Sequence, residues 1–512
     1  MALPEYFGRN AVAAAQAISG LDERRLGDQL HDVNVGITVG VDAKKPEGQA
    51  LAEFLVRVLA RLYPRLTLRS RAAGATLSAL GDLALRINPK IELGGEPSIE
   101  IVIGAQRLKA SSGQRVFVGS NGWQAHVSPT RALSCGPTDI PFGAGVAACV
   151  AAANVFRLVF LPEAAPDADT KINSLEGDEL IGFRERLQGS IGNVVLTGAG
   201  AIGNAAVWAL SRVTMDGTLD IVDPERVDLG NLQRYVLAER GHVSVSKAPL
   251  LASYFAGGIR ARPFESDLAS YLQNNGYASQ AMLLALDSAR DRRAAQASLP
   301  RWIANAWTQP GDLGVSTHDF LNGACVSCLY LPDKANRNED EIIAEAFGIP
   351  SLLMEVRRLL FRGEGVPRAL LEAIAHARDI ALDRLLPFEN RPLRSLYTEG
   401  FCGGAVIPLS QVGTPRADVH VPLAHQSALA GLLLAASAVR HSLGGARGSR
   451  ITQLDVLKPV PTEVTRPAAK HPSGMCICQD LDYRRVYETK YAFVEESEHA
   501  GDFRSEEAST DR

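Results

Sequence analysis

The sequence predicts an α/β protein in which a Rossmann-like, doubly wound domain is preceded by a second α/β domain. The first observation is a strand pattern at 194–196 that leads into the glycine-rich turn Gly198-Ala199-Gly200-Ala201-Ile202-Gly203. A helix pattern at 204–213 and another strand pattern at 218–222 follow, which is the order of a βαβ unit. The last observation is the length of 512 residues, which exceeds what one hydrophobic core usually organises.

Composition and charge narrow the classes of function. Hydrophobic residues make up 46% and charged residues 21%, which is typical of a globular protein. A net charge of -4 gives no support for nucleic-acid or membrane partners. The start Met-Ala-Leu-Pro-Glu lacks a basic stretch with an apolar run, so we expect a cytoplasmic protein. The apolar stretches at 143–162 and 424–439 contain polar residues, and we expect buried helices there.

The glycine turn predicts a phosphate-binding site. Gly198, Gly200 and Gly203 allow a tight turn, let a phosphate approach the backbone, and let the following helix pack closely on the strand. The same pattern also occurs in domains that bind NAD or FAD. Asp223, at the end of the next strand, can hold the ribose of either NAD or ATP, so it leaves the nucleotide open.

Residues downstream of the turn favour ATP. Asn231, Arg234 and Lys247 follow in order, and Asp287 comes at the end of a third strand pattern. When ATP activates a carboxylate, the reactants repel one another and pyrophosphate leaves with high negative charge. Arg234 and Lys247 can neutralise that charge, Asn231 can bond a phosphate oxygen, and Asp287 can hold Mg²⁺. A hydride-transfer site needs none of these residues.

These motifs resemble those of the ThiF/MoeB and ubiquitin-activating (E1-like) superfamily. The resemblance is carried by GAGAIG, IVDPERVDLGNLQR, Lys247 and LDSARDRR, and it covers 185–335 well and 401–480 more loosely. It implies that Asp223 contacts the ATP ribose, that Asn231, Arg234 and Lys247 contact the phosphates, and that Asp287 serves the metal. Family members also use an arginine from a partner domain, for which Arg9 is a candidate here. Among members, the chain is most similar to bacterial E1-like enzymes of ubiquitin-like conjugation operons linked to antiviral defence.

Two short-spaced cysteine pairs predict a structural zinc site. Cys325 and Cys328 follow the glycine-turn domain, while Cys476 and Cys478 lie near the end of the chain. Four thiolates can close a tetrahedral Zn²⁺ site, although a CxC pair departs from the second CxxC pair usual in the family. The alternative is four buried or surface thiols. Of the other three cysteines, Cys135 and Cys149 are expected to be structural.

Cys402 is the candidate catalytic thiol. It lies in Glu399-Gly-Phe-Cys402-Gly-Gly-Ala, where small neighbours leave a sulfur open to a flexible peptide terminus. In ubiquitin-activating enzymes the catalytic cysteine lies in a segment after the adenylation core, and Cys402 has a comparable place. The alternative is a small buried hydrophobe.

The expected domain organisation combines these elements. The N-terminal α/β domain lacks the glycine motif, and we expect an inactive relative of the adenylation domain. The expected boundaries are 1–165 for that domain, 170–332 for the first part of the active adenylation domain, 333–415 for a helical insertion with the catalytic-cysteine loop, 416–494 for the remainder with the second cysteine pair, and 495–512 for a disordered tail.

The resulting hypothesis is an activating enzyme for a ubiquitin-like protein. It adenylates the C-terminal glycine of that protein with ATP and Mg²⁺, forms a thioester on Cys402, and transfers it to an E2-like conjugating enzyme. A homodimer is possible. One alternative is a sulfur-carrier-protein adenylyltransferase without the thioester step, and another is a noncatalytic scaffold with a relic nucleotide pocket.

Overall fold

The protein forms two compact units in a computed structural model. The first comprises Met1–Asn10, Gly27–Leu331 and Pro422–Arg512, and the second comprises Ala11–Leu26 and Pro332–Val421. The structure describes residues 3–18, 21, 23–70, 74–105, 114–161, 163, 166–174, 187–309, 311–331, 339–401, 421–445, 448–459 and 464–492.

The N-terminal half of the first unit contains a sheet of seven strands within the described residues. Its strands are β1 (Val35–Val39), β2 (Arg65–Ser70), β3 (Glu92–Leu93), β4 (Ile99–Ile103), β5 (Gln114–Asn121), β6 (Gln124–Ser128) and β7 (Thr170–Asn173). They lie in the order β3-β2-β1-β4-β5-β6-β7. The pairs from β3 to β5 are parallel, whereas β6 and β7 join antiparallel.

The second sheet has eight described strands and carries the glycine turn. Its strands are β8 (Ser190–Thr197), β9 (Asp216–Val222), β10 (Ile259–Phe264), β11 (Ala281–Leu284), β12 (Trp302–Gln309), β13 (Asp312–Asp319), β14 (Arg450–Leu454) and β15 (Val464–Pro467). They lie in the order β10-β9-β8-β11-β12-β13-β14-β15. The pairs from β10 to β12 are parallel, and β13, β14 and β15 join antiparallel.

The two sheets repeat one topology. Counted from the first strand of each, both share the order 3-2-1-4-5-6-7, to which the second sheet adds an eighth strand, and the parallel and antiparallel pairs of the shared strands fall at the same places. The order 3-2-1-4 is that of doubly wound nucleotide-binding sheets, in which ligands bind where the chain switches direction. The expected fold class is therefore confirmed, with a Rossmann-like adenylation domain preceded by an α/β domain built on the same plan.

Helices cover the sheets and form the insertion. Those that precede β8 in the chain are α1 (Phe7–Ala17), α2 (Glu23–His31), α3 (Pro46–Leu59), α4 (Gly74–Ile87) and α5 (Phe142–Phe160). Next come α6 (Ala201–Leu210), α7 (Lys247–Ala252), α8 (Leu268–Asn275), α9 (Ala289–Ala297) and α10 (Val326–Tyr330). The remaining helices are α11 (Glu339–Ala346), α12 (Leu353–Arg362), α13 (Arg368–Arg378), α14 (Leu393–Ser395), α15 (Ala424–Ser442) and a helix over 481–492.

Helices α5, α6 and α15 form the apolar centre of the first unit, between its two halves. Almost every residue of α5 is buried, and α15 packs on both α5 and α6. Small residues allow this close packing, since a Cβ at Gly431 of α15 would overlap the carbonyl oxygen of Ile202 in α6. Among the described helices, Phe142–Phe160 is long and apolar enough to cross a membrane, but 89% of its apolar window is buried within the protein.

The second unit has a core of its own. Helices α11 to α14 enclose buried apolar side chains, including Phe347, Val356, Leu371, Leu385 and Leu396. The apolar positions of α12 and α13 recur at helical spacing, which leaves their charged residues on the outer face. Contacts among these side chains account for the compactness of the insertion.

Candidate nucleotide-binding site

The glycine turn joins β8 to α6 and needs its glycines for different reasons. Gly198 has φ +93°, which favours glycine, and a Cβ there would lie 2.5 Å from the carbonyl oxygen of Ala285, just after β11. A Cβ at Gly203 would overlap the carbonyl oxygen of Gly198. At Gly200 the nearest atom to a Cβ is the Tyr235 hydroxyl at 3.5 Å, so this position is open. The turn therefore packs closely against the end of β11, while the backbone at Gly200, at the N-terminus of α6, remains accessible to a ligand.

Asp223 lies at the end of β9, directly beside the turn. One carboxylate oxygen accepts the Ala199 N–H at 2.7 Å, and the other accepts the Glu225 N–H at 2.8 Å. Burial raises the pKa of the Asp223 carboxyl, and the nearby Lys247 ammonium and these two amides oppose that rise. Each oxygen keeps a further lone pair, so the carboxylate can still accept from the hydroxyls of a ribose.

Two cations lie on one aromatic ring next to the turn. The Lys247 ammonium is 5.2 Å and the Arg234 guanidinium 5.9 Å from the centre of the Tyr235 ring. Lys247 is buried and is ion-paired with Glu225. Burial lowers its pKa, but Tyr235, Glu225 and Asp223 outweigh that effect and the net shift is upward. Lys247 is therefore charged at neutral pH, beside a turn suited to phosphate.

Arg234 and Asp287 belong to the same charge cluster. Burial lowers the pKa of the Arg234 guanidinium, and Tyr235 and Asp287 oppose that shift. Asp287 is exposed and comes three residues after the end of β11, at the carboxyl edge of the sheet. An exposed carboxylate at this edge is suited to an oxygen-ligated cation such as Mg²⁺ that keeps several waters.

Asn231 lies in a short turn, Leu229–Gln233, that its own side chain helps to close. Its Oδ1 accepts the Asp228 N–H at 2.9 Å. Its amide nitrogen has no protein acceptor among the described residues and can donate to a phosphate oxygen. Next to it, a Cβ on Gly230 would lie 3.5 to 3.9 Å from the Arg9 side chain. The structure therefore brings the candidate Arg9 to this same loop.

Two residues that the sequence did not single out complete the site. Tyr235 follows Arg234 directly, and only the fold shows that its ring contacts both cations. Asn204 is the first residue after the glycine motif and is buried. Its amide donates to the carbonyls of Ala199 and Gly200 at 3.0 and 2.9 Å, and its oxygen accepts the Leu237 N–H at 3.2 Å. Asn204 thus ties the turn to the segment that carries Arg234.

The corresponding edge of the N-terminal sheet is closed by carboxylates. A turn over Val41–Lys44 follows β1 in place of the glycine motif. Asp42 accepts the N–H groups of Ala105 and Cys135 at 2.7 and 2.8 Å. The buried Glu47 carboxylate accepts from Ser120 Oγ, the Gly122 N–H and both the N–H and Oγ1 of Thr138. Protein anions therefore occupy donors at this edge, which disfavours a bound phosphate.

The four cysteines of the two pairs meet in one cluster. All four sulfurs of Cys325, Cys328, Cys476 and Cys478 lie within 4.8 Å of one another, and two of the contacts are 3.4 Å. A tetrahedral zinc site with Zn–S bonds of about 2.3 Å places its sulfurs about 3.8 Å apart, so the spacing fits. Hydrogen bonds within the cluster lower the pKa of Cys328 and Cys478 and raise the pKa of Cys325 and Cys476, so the case for a metal site rests on the spacing of the four sulfurs.

The candidate thiol Cys402 lies outside the described residues. The helical segment Leu396–Phe401 ends immediately before it. The other candidate site residues all lie within the described part of the chain.

Comparison with known proteins gives two family matches along the chain. The sequence model of the ThiF family matches residues 175–473, and that of Prokaryotic E2 family C matches residues 41–161. The chain is also similar to the uncharacterized protein y4jF of Sinorhizobium fredii (strain NBRC 101917 / NGR234). The two are 39% identical over 515 residues, which cover 96% of this chain and 98% of that protein.

Two crystal structures of E. coli MccB are similar to parts of this chain. One is described with AMPCPP and selenomethionine MccA, and the other with MccA-N7isoASN. Both are 12% identical with a TM-score of 0.34, and they cover 55% and 56% of this chain. The chain spans 65% and 66% of the length of those MccB chains, which is less than two thirds.

The family assignment rests on the sequence match, and the fold agrees with it. The ThiF match begins before β8 and includes the glycine turn, the charge cluster and two of the four clustered cysteines, Cys325 and Cys328. The chain belongs to the ThiF family, within the E1-like superfamily that its motifs resemble.

Proposed function

We propose that this protein is an E1-like activating enzyme for a ubiquitin-like protein. It binds ATP and Mg²⁺ at the carboxyl edge of the second sheet and adenylates the C-terminal glycine of its substrate. It then forms a thioester on Cys402 and passes the acyl group to an E2-like conjugating enzyme. The observation that carries the proposal is the pair of cations, Lys247 and Arg234, on one ring beside an open glycine turn.

The adenylation step matches the charges at this site. A carboxylate oxygen of the substrate attacks the α-phosphorus of ATP, the bond to the bridging oxygen breaks, and pyrophosphate leaves. Lys247 and Arg234 offset the negative charge that develops on the phosphates. Asp223 holds the ribose, and Asn231 donates to a phosphate oxygen. Mg²⁺ bound near Asp287 would supply further charge neutralisation on the phosphates.

The thioester step uses a thiolate at Cys402. Its sulfur attacks the acyl carbon of the adenylate, the bond from that carbon to the phosphate oxygen breaks, and AMP leaves. Transfer to the partner then exchanges one thioester for another, so no further energy source is needed. The four-cysteine cluster is proposed to bind Zn²⁺ as a structural ion that joins the segment around 476–492 to α10.

The Prokaryotic E2 family C match raises the question of whether transfer occurs within the chain. The cysteines in residues 41–161 are Cys135 and Cys149, and both are buried. Burial raises the pKa of Cys135 to about 12 and that of Cys149 well above its ordinary value. Neither thiol is therefore suited to accept an acyl group, which supports transfer to a separate E2-like protein.

ATP–pyrophosphate exchange tests the adenylation step. With a ubiquitin-like partner encoded beside the gene, the wild-type protein should exchange label between pyrophosphate and ATP. Lys247→Ala and Asp287→Asn should lose most of that exchange. Asp482→Asn, at an exposed aspartate far along the chain, is the matched control and should retain it. Full exchange in the Lys247 and Asp287 variants would refute the proposed roles, and absence of exchange with every candidate partner would favour a noncatalytic scaffold.

A second experiment separates thioester formation from sulfur-carrier activation. Cys402→Ala should retain exchange but lose the covalent complex with the partner that thiol reagents reverse. Cys149→Ala removes a buried thiol and should retain both. If Cys402→Ala still yields the complete product, the protein is a sulfur-carrier adenylyltransferase and the thioester step is wrong.

A further inference from the structure

Arg61 is a buried cation that belongs to the N-terminal half but binds the nucleotide-binding half. It follows α3 and has no exposed surface. Its Nη1 donates to the carbonyl of Leu232, and its Nη2 donates to those of Val236 and Ala238 at 3.0 and 2.8 Å. Its Nε donates to the Arg57 carbonyl at 2.8 Å. The guanidinium therefore makes three hydrogen bonds to one short segment, residues 232–238, of the nucleotide-binding half.

Burying a charged guanidinium costs free energy, because the group loses its hydrogen bonds to water. The protein tolerates this cost only when hydrogen bonds within the fold replace those lost to solvent. Here the replacement acceptors are backbone carbonyls, and no carboxylate pairs directly with Arg61 among the described residues. Burial lowers the pKa of Arg61 to about 10, so the side chain remains charged at neutral pH. A charge held this way fixes its acceptors in place.

The gripped segment, 232–238, contains Arg234 and Tyr235. On its other side, the Leu237 N–H donates to Asn204, whose amide donates to the Ala199 and Gly200 carbonyls of the glycine turn. A continuous set of hydrogen bonds thus runs from Arg61 through this segment to the turn. Arg57 adds a bond from its Nη1 to the Val236 carbonyl at 3.1 Å.

We propose that Arg61 is a positioning residue of the nucleotide site: by holding the 232–238 segment, it sets Arg234 and the Tyr235 ring at the phosphate end of ATP. This inference rests on the proposed ATP-binding function and goes beyond it. It gives the N-terminal half, whose own sheet edge is closed, a direct part in nucleotide binding. Loss of Arg61 should therefore weaken the contacts to the phosphates and should not affect the proposed contact between Asp223 and the ribose.

The test compares the affinities of Mg-ATP and AMP, measured by calorimetry. Arg61→Lys retains the charge but cannot reach three carbonyls, so ATP affinity should fall roughly tenfold while AMP affinity falls less. Arg57→Lys, in α3, affects a single hydrogen bond to the same segment and should give a smaller loss of ATP affinity. Arg86→Ala is the matched control, since this exposed arginine bonds Glu239, the residue that directly follows the 232–238 segment, at 2.8 Å. It should bind ATP as the wild type does.

A destabilising control separates positioning from folding. Val58→Ala removes buried volume from α3 and should lower the melting temperature without changing the ratio of ATP to AMP affinity. Unchanged ATP affinity in folded Arg61→Lys would overturn the inference, and so would an equal loss for ATP and AMP. Wild-type protein that binds no ATP would overturn the proposed function itself, and this inference with it.

Discussion

Substitution by alanine should have different effects at two glycines of the turn, Gly200 and Gly203. A Cβ at Gly200 meets no atom closer than the Tyr235 hydroxyl at 3.5 Å, and its φ of -74° suits any residue. A Cβ at Gly203 overlaps the Gly198 carbonyl, which is backbone and cannot move without shifting the turn. Gly200→Ala should therefore fold normally, whereas Gly203→Ala should be destabilised.

The Gly203 variant should change mainly the free energy of unfolding, and the Gly200 variant mainly the affinity for ATP. Overpacking at Gly203 should cost about 1–3 kcal/mol of unfolding free energy. Gly200→Ala should change stability by less than about 0.5 kcal/mol, yet in the proposed function its methyl group would lie where a phosphate of ATP approaches the helix N-terminus. Losing a charge-assisted hydrogen bond there costs about 1.5–3 kcal/mol, which is a roughly ten- to hundredfold weaker affinity for ATP.

Chemical denaturation and calorimetry measure the two effects on the same samples. The expected pattern is wild-type stability with weak ATP binding for Gly200→Ala, and reduced stability for Gly203→Ala. Gly217→Ala is a control at a glycine with φ +127° in β9, away from the turn, where only stability should fall. Wild-type ATP affinity in Gly200→Ala would refute phosphate binding over this position.

Three further predictions follow from other parts of the structure. Cys328→Ser should lower the zinc content from about one ion per chain, as measured by mass spectrometry, and lower the melting temperature; undiminished zinc would contradict the site. Tyr235→Leu should weaken ATP binding by about 0.5–2 kcal/mol, whereas Tyr235→Phe, which keeps the ring, should not. Equal ATP affinities of the Leu and Phe variants would exclude a role for the ring in ATP binding. Burial lowers the pKa of His425 to about 3, so its neutral form stabilises the fold above the unfolded pKa of about 6.5, and that contribution is lost as pH falls towards 3. His425→Phe should flatten the decline of unfolding free energy over this range, and an unchanged slope would contradict this assignment.

The motif region was the most predictable part of the protein. A strand followed by a glycine turn and a helix depends on local periodicity and on glycine's freedom, so the fold class and the ThiF membership could be inferred from residues alone. The sequence also indicated Asp223 and Asp287, because each follows a strand at the carboxyl edge, and Lys247, because it follows the glycine turn in order with Asn231 and Arg234. Their proximity in the structure fits those roles, which stay predictions until ATP binding is measured.

The less predictable features join residues that are distant in the chain. Nothing near Arg61 in the sequence indicates that it bonds carbonyls about 170 residues away, because such contacts depend on how α3 meets the other half. The sequence led us to expect a relative of the adenylation domain in the N-terminal half, but the strand order that the two sheets share became visible only in the structure, because the glycine motif is absent from the first sheet. The role of Asn204 as a bridge also required the fold.

By itself, the sequence determined the βαβ unit, the phosphate-type turn, the order of the charged residues and the two cysteine pairs, because these follow from local spacing and side-chain chemistry. Only the tertiary structure decided that Lys247 and Arg234 share the Tyr235 ring, that four sulfurs separated by about 150 residues meet, and that Arg61 holds the 232–238 segment. The physical reason is that local pattern fixes which groups are present, whereas packing of the two halves fixes the distances between them.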